Sequence, residues 1–266
     1  MKKSFILLTI SLLLVSSLVG CNSNDNEPGM EPLVVGATAK PHAEILQVVK
    51  PMLAETGVDL VIQEFTDYES LNSAVDDGQI DANFFHYIPY LEDYNTKNNA
   101  SLEPVVKVYN EPMGIYSKKF DNIDSITDGA SIGIPNDTTN RGRALLVLQS
   151  AGLIKLKDGV KYKAAPEDIV ENYKNINIEM MDGTMLPQAL EDLDLCVINY
   201  ALEVNLNPAD YLLFREAKDS PYANVLVVKA ENTNKPSVQK LANALQLQEV
   251  KDFLEENYSD LYVPAF

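Results

Sequence analysis

Short apolar runs alternate with helix-patterned stretches along most of this chain, and that alternation limits the fold more than any other feature. Residues 33–37 form an apolar run of strand length. Pro41-His42-Ala43-Glu44 then opens a segment in which Ile45, Val48, Val49, Met52 and Leu53 keep the 3.6-residue period of a helix. Residues 58–65 read as the next strand and 68–75 as the next helix, closed by Asp77-Gly78. Strands follow at 105–109 and 114–117 around a turn at Glu111-Pro112, then at 130–134, 176–180, 195–198 and 224–229. Helical patterns occupy 144–151 and begin at 186–190, residues 155–165 read as a charged loop, and 236–254 predicts one long amphipathic helix. Strand–helix alternation of this kind predicts an α/β fold with largely parallel sheets. The Pro112-Met113-Gly114 turn marks the expected crossing between two lobes.

The N-terminus fixes the compartment. Lys2-Lys3, the apolar stretch 5–14 and the small residues up to Gly20 form a secretory signal too short for a comfortable membrane span. It ends Leu18-Val19-Gly20-Cys21, which resembles a bacterial lipobox, in which the Cys becomes a lipid-bearing N-terminus; an ordinary signal with an incidental Cys is the alternative. Residues 1–20 are thus expected to be removed, and 21–32, polar with Pro28 and Gly29, to be a lipidated flexible tether. Cleavage before Cys21 leaves 246 of 266 residues, enough for one large domain or two lobes, and the loss of two lysines takes the formal charge from −18 to −20. Such an acidic body argues against nucleic acid and against direct adsorption to anionic lipid headgroups. With Cys21 committed to lipid, Cys196 is left alone in the apolar run 193–198 and reads as a buried structural thiol.

Two segments carry the polar chemistry. In Ile134-Pro135-Asn136-Asp137-Thr138-Thr139-Asn140-Arg141-Gly142-Arg143 a strand meets a tight turn and then a helix, with Thr138 or Thr139 as the expected N-cap and Gly152 as the stop. The start of such a helix offers unpaired backbone N–H groups to an anion. Asn140 and Arg143, three apart, share a helical face and lean back toward that place, so that Arg143 would hold a carboxylate as a bidentate partner. A solvated surface arginine is the alternative, and it is the reading that suits Arg141. In residues 81–91, aromatics at Phe84, Phe85, Tyr87 and Tyr90 surround His86 in a chain with no Trp. The pattern puts Phe85, His86 and Tyr87 near the carboxyl end of a strand, where open α/β sheets bind ligands. An aromatic wall with polar tips suits an apolar ligand side chain, and plain core packing explains it equally well.

Pro41-His-Ala-Glu-Ile-Leu46, residues 81–91, Tyr116-Ser-Lys-Lys119, Ile134 through Arg143, Gly152-Leu-Ile-Lys-Leu-Lys-Asp-Gly-Val160 and Val197-Ile-Asn199 together resemble the methionine-binding lipoproteins of the MetQ/NlpA type. The resemblance runs in order from about Leu33 to the C-terminus. It implies the substrate-binding component of an ABC importer, with a two-lobed periplasmic-binding-protein-like fold (type II), a hinge and an interlobe ligand cleft. Lobe 1 is then expected at 33–110 plus about 225–266, and lobe 2 at about 111–224. The resemblance further implies Arg143, assisted by Asn140, for the ligand carboxylate, Asn199 and Asn224 chiefly for the ammonium, and Tyr68 and Phe85 as walls for the thioether. The implied partners are methionine or a relative of it, a separate permease and ATPase, and the membrane through the lipid anchor on the extracytoplasmic side. The chain itself is expected to be a monomer without cofactor or metal. It departs from the family where members usually read Phe-Gln-His and it reads Phe85-His86-Tyr87, and Tyr200 is bulkier than the small residue usual there. A close derivative of methionine, a methionine-containing dipeptide or another small amino acid therefore stays open as the ligand.

Other classes find little support. Gly-x-Ser-x-Gly, His-Glu-x-x-His and Walker-type loops are absent from the sequence. A metal-dependent enzyme would have to join His42 and His86 with Asp81 or Glu44. An adhesive surface lipoprotein would need no convergent polar cleft.

Overall fold

The structure, a computed structural model, describes residues 29–199, 208–217, 221–258 and 261–266. Residues 1–20, Cys21 and most of the tether, and Tyr200, lie outside the described residues. The expected alternation is present from the start: β1 (Glu31–Ala37), α1 (Glu44–Glu55), β2 (Val58–Glu64), α2 (Ser70–Asp76), β3 (Ala82–Tyr87), α3 (Ile88–Asn98) and β4 (Leu102–Asn110). There follow β5 (Gly114–Tyr116), β6 (Ser131–Pro135), α4 (Thr138–Ser150), β7 (Ile154–Leu156), β8 (Ile169–Asn172), β9 (Asn177–Met181), α5 (Leu186–Ala189) and β10 (Leu195–Ile198). The described elements close with α6 (Pro208–Tyr211), β11 (Leu212–Arg215), β12 (Ala223–Lys229), α7 (Pro236–Ala244), α8 (Gln248–Tyr258) and β13 (Val263–Pro264).

The strands make one sheet in the order β13-β4-β12-β3-β1-β2, a second in the order β11-β5-β10-β6-β9, and the ribbon β7-β8. These sheets are mixed, which corrects the expectation of largely parallel ones. β1 is parallel to β2 and β3, but β12 enters antiparallel between β3 and β4 because the chain leaves the first sheet after β4 and returns to it from the second. In the second sheet β6 is parallel to β9 and β10, while β5 is antiparallel to β10 and β11.

Alternation along each strand feeds two apolar layers per sheet. On the first sheet Leu33, Val35 and Ala37 pack with Ile45, Leu46, Val49 and Leu53 of α1 and with Leu241, Val250 and Leu254. The opposite face buries Val225 and Val227 under Leu71, Val75 and Leu91 of α2 and α3. On the second sheet Leu195 and Val197 meet Leu145 and Leu148 of α4, while Cys196 and Ile198 meet Leu186 and Leu190. Burial pushes the Cys196 thiol up to about 12, so it stays a neutral packing group, as its sequence context predicts.

Two local expectations need correction. The terminal helix is two helices, α7 and α8, because the turn Leu245-Gln246-Leu247 reorients the chain so that Leu245 and Val250 both reach the core. The stretch expected as a charged loop starts inside the β7-β8 ribbon, which covers the end of α4.

Candidate functional site

The carboxyl end of β3 builds one wall of a cleft between the two sheets. Against β12, Asn224 pairs with Tyr87, Val225 with His86 and Leu226 with Phe84, which leaves Phe85 as an extra residue on β3. Strict alternation would send Phe85 and His86 to opposite faces. At this bulge both turn to the α2/α3 side: Phe85 joins the cluster of Leu71, Val75 and Leu91, and His86 Nε2 lies 2.7 Å from Asn72 Oδ1. Together with Tyr87 they line a cavity of about 440 Å³, counting its open mouth, whose other lining residues are Thr38, Tyr68, Tyr90, Glu111, Asn140, Asn199 and Asn224.

The opposite wall comes from α4. Its N-cap is Asp137 rather than Thr138 or Thr139, in keeping with the stronger capping preference of Asp. Asp137 Oδ1 accepts from the Asn140 backbone N–H at 2.9 Å and from the Thr139 hydroxyl at 3.1 Å, and Oδ2 accepts from Asn140 Nδ2 at 3.0 Å. The chain's own carboxylate thus occupies the helix start that the sequence offered to a ligand anion. Across the cleft the Tyr68 hydroxyl donates to Asp137 Oδ2 at 3.4 Å and the Tyr87 hydroxyl donates to Asn140 Oδ1 at 2.7 Å. Burial raises the Tyr87 and Tyr90 pKa values, so both stay phenols.

Arg143 is only 1% exposed and does not line the cavity. Its Nε lies 3.0 and 3.1 Å from the two Glu216 oxygens, and Nη2 lies 2.6 Å from Glu216 Oε2 and 2.6 Å from the Glu111 backbone carbonyl. The guanidinium carbon sits 5.0 Å from the Tyr87 ring centroid and 4.2 Å from that of Tyr222. Burial opposes the charge, and the Glu216 carboxylate more than offsets it, so the Arg143 pKa is raised. The bidentate edge expected to meet a ligand is therefore held by Glu216.

Three polar groups remain at the cavity. Among the described residues Asn199 Oδ1 and His86 Nδ1 are buried without a hydrogen-bond partner. His86 Nε2 and Asn83 Nδ2 converge on Asn72 Oδ1, at 2.7 and 2.9 Å. Burial lowers the His86 pKa to about 3, which keeps the ring neutral. The third group is Glu111. Burial pushes its carboxyl up to about 8, against the Arg143 charge and hydrogen bonds from Tyr262 and Asn224. Behind it His42, also lowered to about 3 by burial, lies 2.7 Å from Thr38 Oγ1, 2.6 Å from the Tyr109 hydroxyl and 3.3 Å from Asn224 Oδ1. His42 and His86 thus sit in separate networks, and among the described residues no group of three or more His, Cys, Asp or Glu could hold a metal ion.

The family model described as NlpA lipoprotein matches residues 33–266. The chain belongs to the NlpA lipoprotein family. It is 38% identical over 239 residues to the D-methionine-binding lipoprotein MetQ of Salmonella typhi, covering 88% of both chains. A nutrient binding protein from Burkholderia cenocepacia, solved bound to methionine, is 38% identical with a TM-score of 0.84, over 88% of this chain and all of that one. An ABC transporter periplasmic substrate-binding protein from Coxiella burnetii is 36% identical with a TM-score of 0.83, again over 88% of this chain and all of that one. The fold is accordingly the α/β, two-lobed fold of the periplasmic substrate-binding proteins.

Among the residues expected at the site of this NlpA-family chain, Tyr68, Phe85, His86, Tyr87, Asn140, Asn199 and Asn224 share the cavity, and Arg143 stands behind it. Thr38, Tyr90 and Glu111 escaped the sequence reading. Tyr90 lay inside the aromatic segment, and Thr38 directly follows an apolar strand. Glu111 carried the clearest missed signal, an acid at the end of a strand just before Pro112, which reads as a turn until its burial is known.

Proposed function

We propose that this chain is the substrate-binding component of an ABC importer and captures methionine, or a close derivative of it, in the interlobe cleft. Lobe 1 comprises residues 33–110 and about 225–266, lobe 2 about 111–224, and the crossings beside Glu111 and Glu216 serve as the hinge. One observation supports this most: an aromatic-walled cavity whose lining includes the unpartnered Asn199 Oδ1 and the buried Glu111 carboxyl. Those two groups take the ligand ammonium. Asn224, whose Oδ1 is turned to His42, holds Glu111 instead of accepting from the ammonium. Arg143 and Asn140 receive the carboxylate, and Tyr68, Phe85 and Tyr87 enclose the thioether.

The protein works as a monomer without cofactor or metal, catalyses no reaction, and is held outside the cytoplasmic membrane by lipid on Cys21. It delivers its ligand to a permease driven by a separate ATPase. Calorimetric titration tests the reading. Methionine exceeds alanine by about three methylene-sized groups, at about 0.8 kcal/mol each, so it binds roughly 50-fold more tightly, with norleucine close behind. Equal binding of methionine and alanine would sink the methionine assignment.

One observation favours a second ligand. His86 Nδ1 finds no hydrogen-bond partner in a thioether, whereas a methionine-containing dipeptide brings an extra peptide group with both a donor and an acceptor. The same titration with such a dipeptide decides between them by rank.

A further inference from the structure

Among the described residues Arg143 is the one buried cation beside the cleft, and its guanidinium has three nitrogens to distribute. Glu216 takes Nε and Nη2, and the Glu111 carbonyl takes the rest of Nη2. None of these four bonds uses Nη1. Two roles for Glu216 fit a carboxylate on that arginine. It could stand in for the ligand carboxylate and be displaced by it, or it could hold the guanidinium for the ligand to meet elsewhere.

The surroundings of Glu216 decide between them. Its backbone N–H donates to the Met113 carbonyl at 2.9 Å, and its Oε2 accepts from the Met113 N–H at 3.0 Å. This exchange extends the β5–β11 pairing by one residue beyond Arg215 and Gly114. Glu216 is therefore tied to the strand at the first crossing between the lobes through both backbone and side chain. Displacing its carboxylate would strip Met113, which is fully buried, of the partner for its N–H. It would also leave a half-buried carboxylate without its cation.

We propose that Glu216 is a positioning residue: it grips the Nε–Nη2 edge of Arg143, stays there when ligand binds, and leaves Nη1 as the donor for the ligand's carboxyl group. The ligand-facing half of this proposal rests on the reading of the cleft as an amino-acid site. A consequence for selectivity follows. Because Glu216 already matches the charge of Arg143, the ligand's carboxyl end is recognised by hydrogen bonding more than by charge. An amide there is tolerated, and methionine amide binds within about tenfold of methionine.

Nitrogen–proton spectra of the arginine side chains test this directly, since the chain has only Arg141, Arg143 and Arg215. Arg143→Lys assigns the signal. In the ligand-free protein the Arg143 Nε–H is expected to exchange slowly, to lose that protection in Glu216→Ala, and to keep its shift when L-methionine is added while the Nη1 signals move. Glu216→Gln retains an acceptor for Nε but removes the countercharge. Its preference for methionine over methionine amide is expected to rise more than tenfold. An Nε–H that exchanges at the rate of a free, solvated guanidinium, or that shifts on ligand addition, overturns the proposal. So does a Glu216→Gln protein whose preference for methionine over methionine amide is unchanged. A protected Nε–H with no response to methionine would instead defeat the methionine reading and leave the grip of Glu216 on Arg143 standing.

Discussion

Glu111 makes ligand capture depend on pH, with a sign that can be worked out. In the ligand-free protein burial holds its carboxyl at about 8, against an ordinary value of 4.5. At pH 7 roughly nine in ten molecules therefore carry a proton on Glu111. An ammonium beside the carboxyl favours the ionised form, so binding expels that proton. The complex then holds fewer protons than its components, and affinity rises with pH by up to about tenfold per unit between about pH 5.5 and 7.5, levelling off above about pH 8. The same group affects folding in the other direction. Its folded pKa lies above the unfolded one, so its contribution to stability is full below about 4.5 and is lost as pH rises through about 8. Calorimetry with L-methionine at pH 7, in two buffers of different ionisation enthalpy, counts the proton. Release of close to one proton is expected, falling to near zero in Glu111→Gln, whose affinity should also lose its pH slope. An affinity that stays flat from pH 6 to 8, or proton uptake on binding, refutes the placement of the ammonium beside Glu111.

Gly142→Ala should destabilise the protein by about 1–3 kcal/mol in urea unfolding, because a Cβ there would stand 2.0 Å from the Tyr162 carbonyl oxygen. A change near zero would mean that the segment around Tyr162 does not lie against α4. Tyr87→Phe removes the donor to Asn140 Oδ1 across the cleft and should lower stability by about 1 kcal/mol, since water in the cleft can replace the phenol in part; an unchanged unfolding midpoint would argue against that bond. Cys21→Ser should release the protein from membranes without lowering its thermal midpoint. Persistence in the membrane fraction after a high-salt wash would refute the anchor.

Periodicity made the strand–helix order legible because each strand and helix buries its own apolar face. Residues 81–91 stood out for the same reason, as a run of aromatics too dense for one face of a strand. The bulge at Phe85 was not legible, since it depends on how β3 meets β12, more than a hundred residues away. The cap on α4 was ambiguous because Asp137, Thr138 and Thr139 are adjacent, and only the Asp137 contacts with Asn140 separate them. The grip on Arg143 comes from Glu216, 73 positions further on, and no local pattern joins two residues so far apart. The split between α7 and α8 escaped because Leu245 and Leu247 continue an apolar helical pattern through the turn. In each case the local chemistry was readable, and the partner that gives it a role was supplied by the tertiary fold.

A crystal structure of the protein with L-methionine tests the central claim most directly. The account predicts the ligand in the cleft, its ammonium within hydrogen-bond reach of Asn199 Oδ1 and the Glu111 carboxylate, its carboxylate on Arg143 Nη1, and its thioether among Tyr68, Phe85 and Tyr87. A methionine bound in the reverse direction, or a cleft that stays empty at saturating methionine, would contradict it.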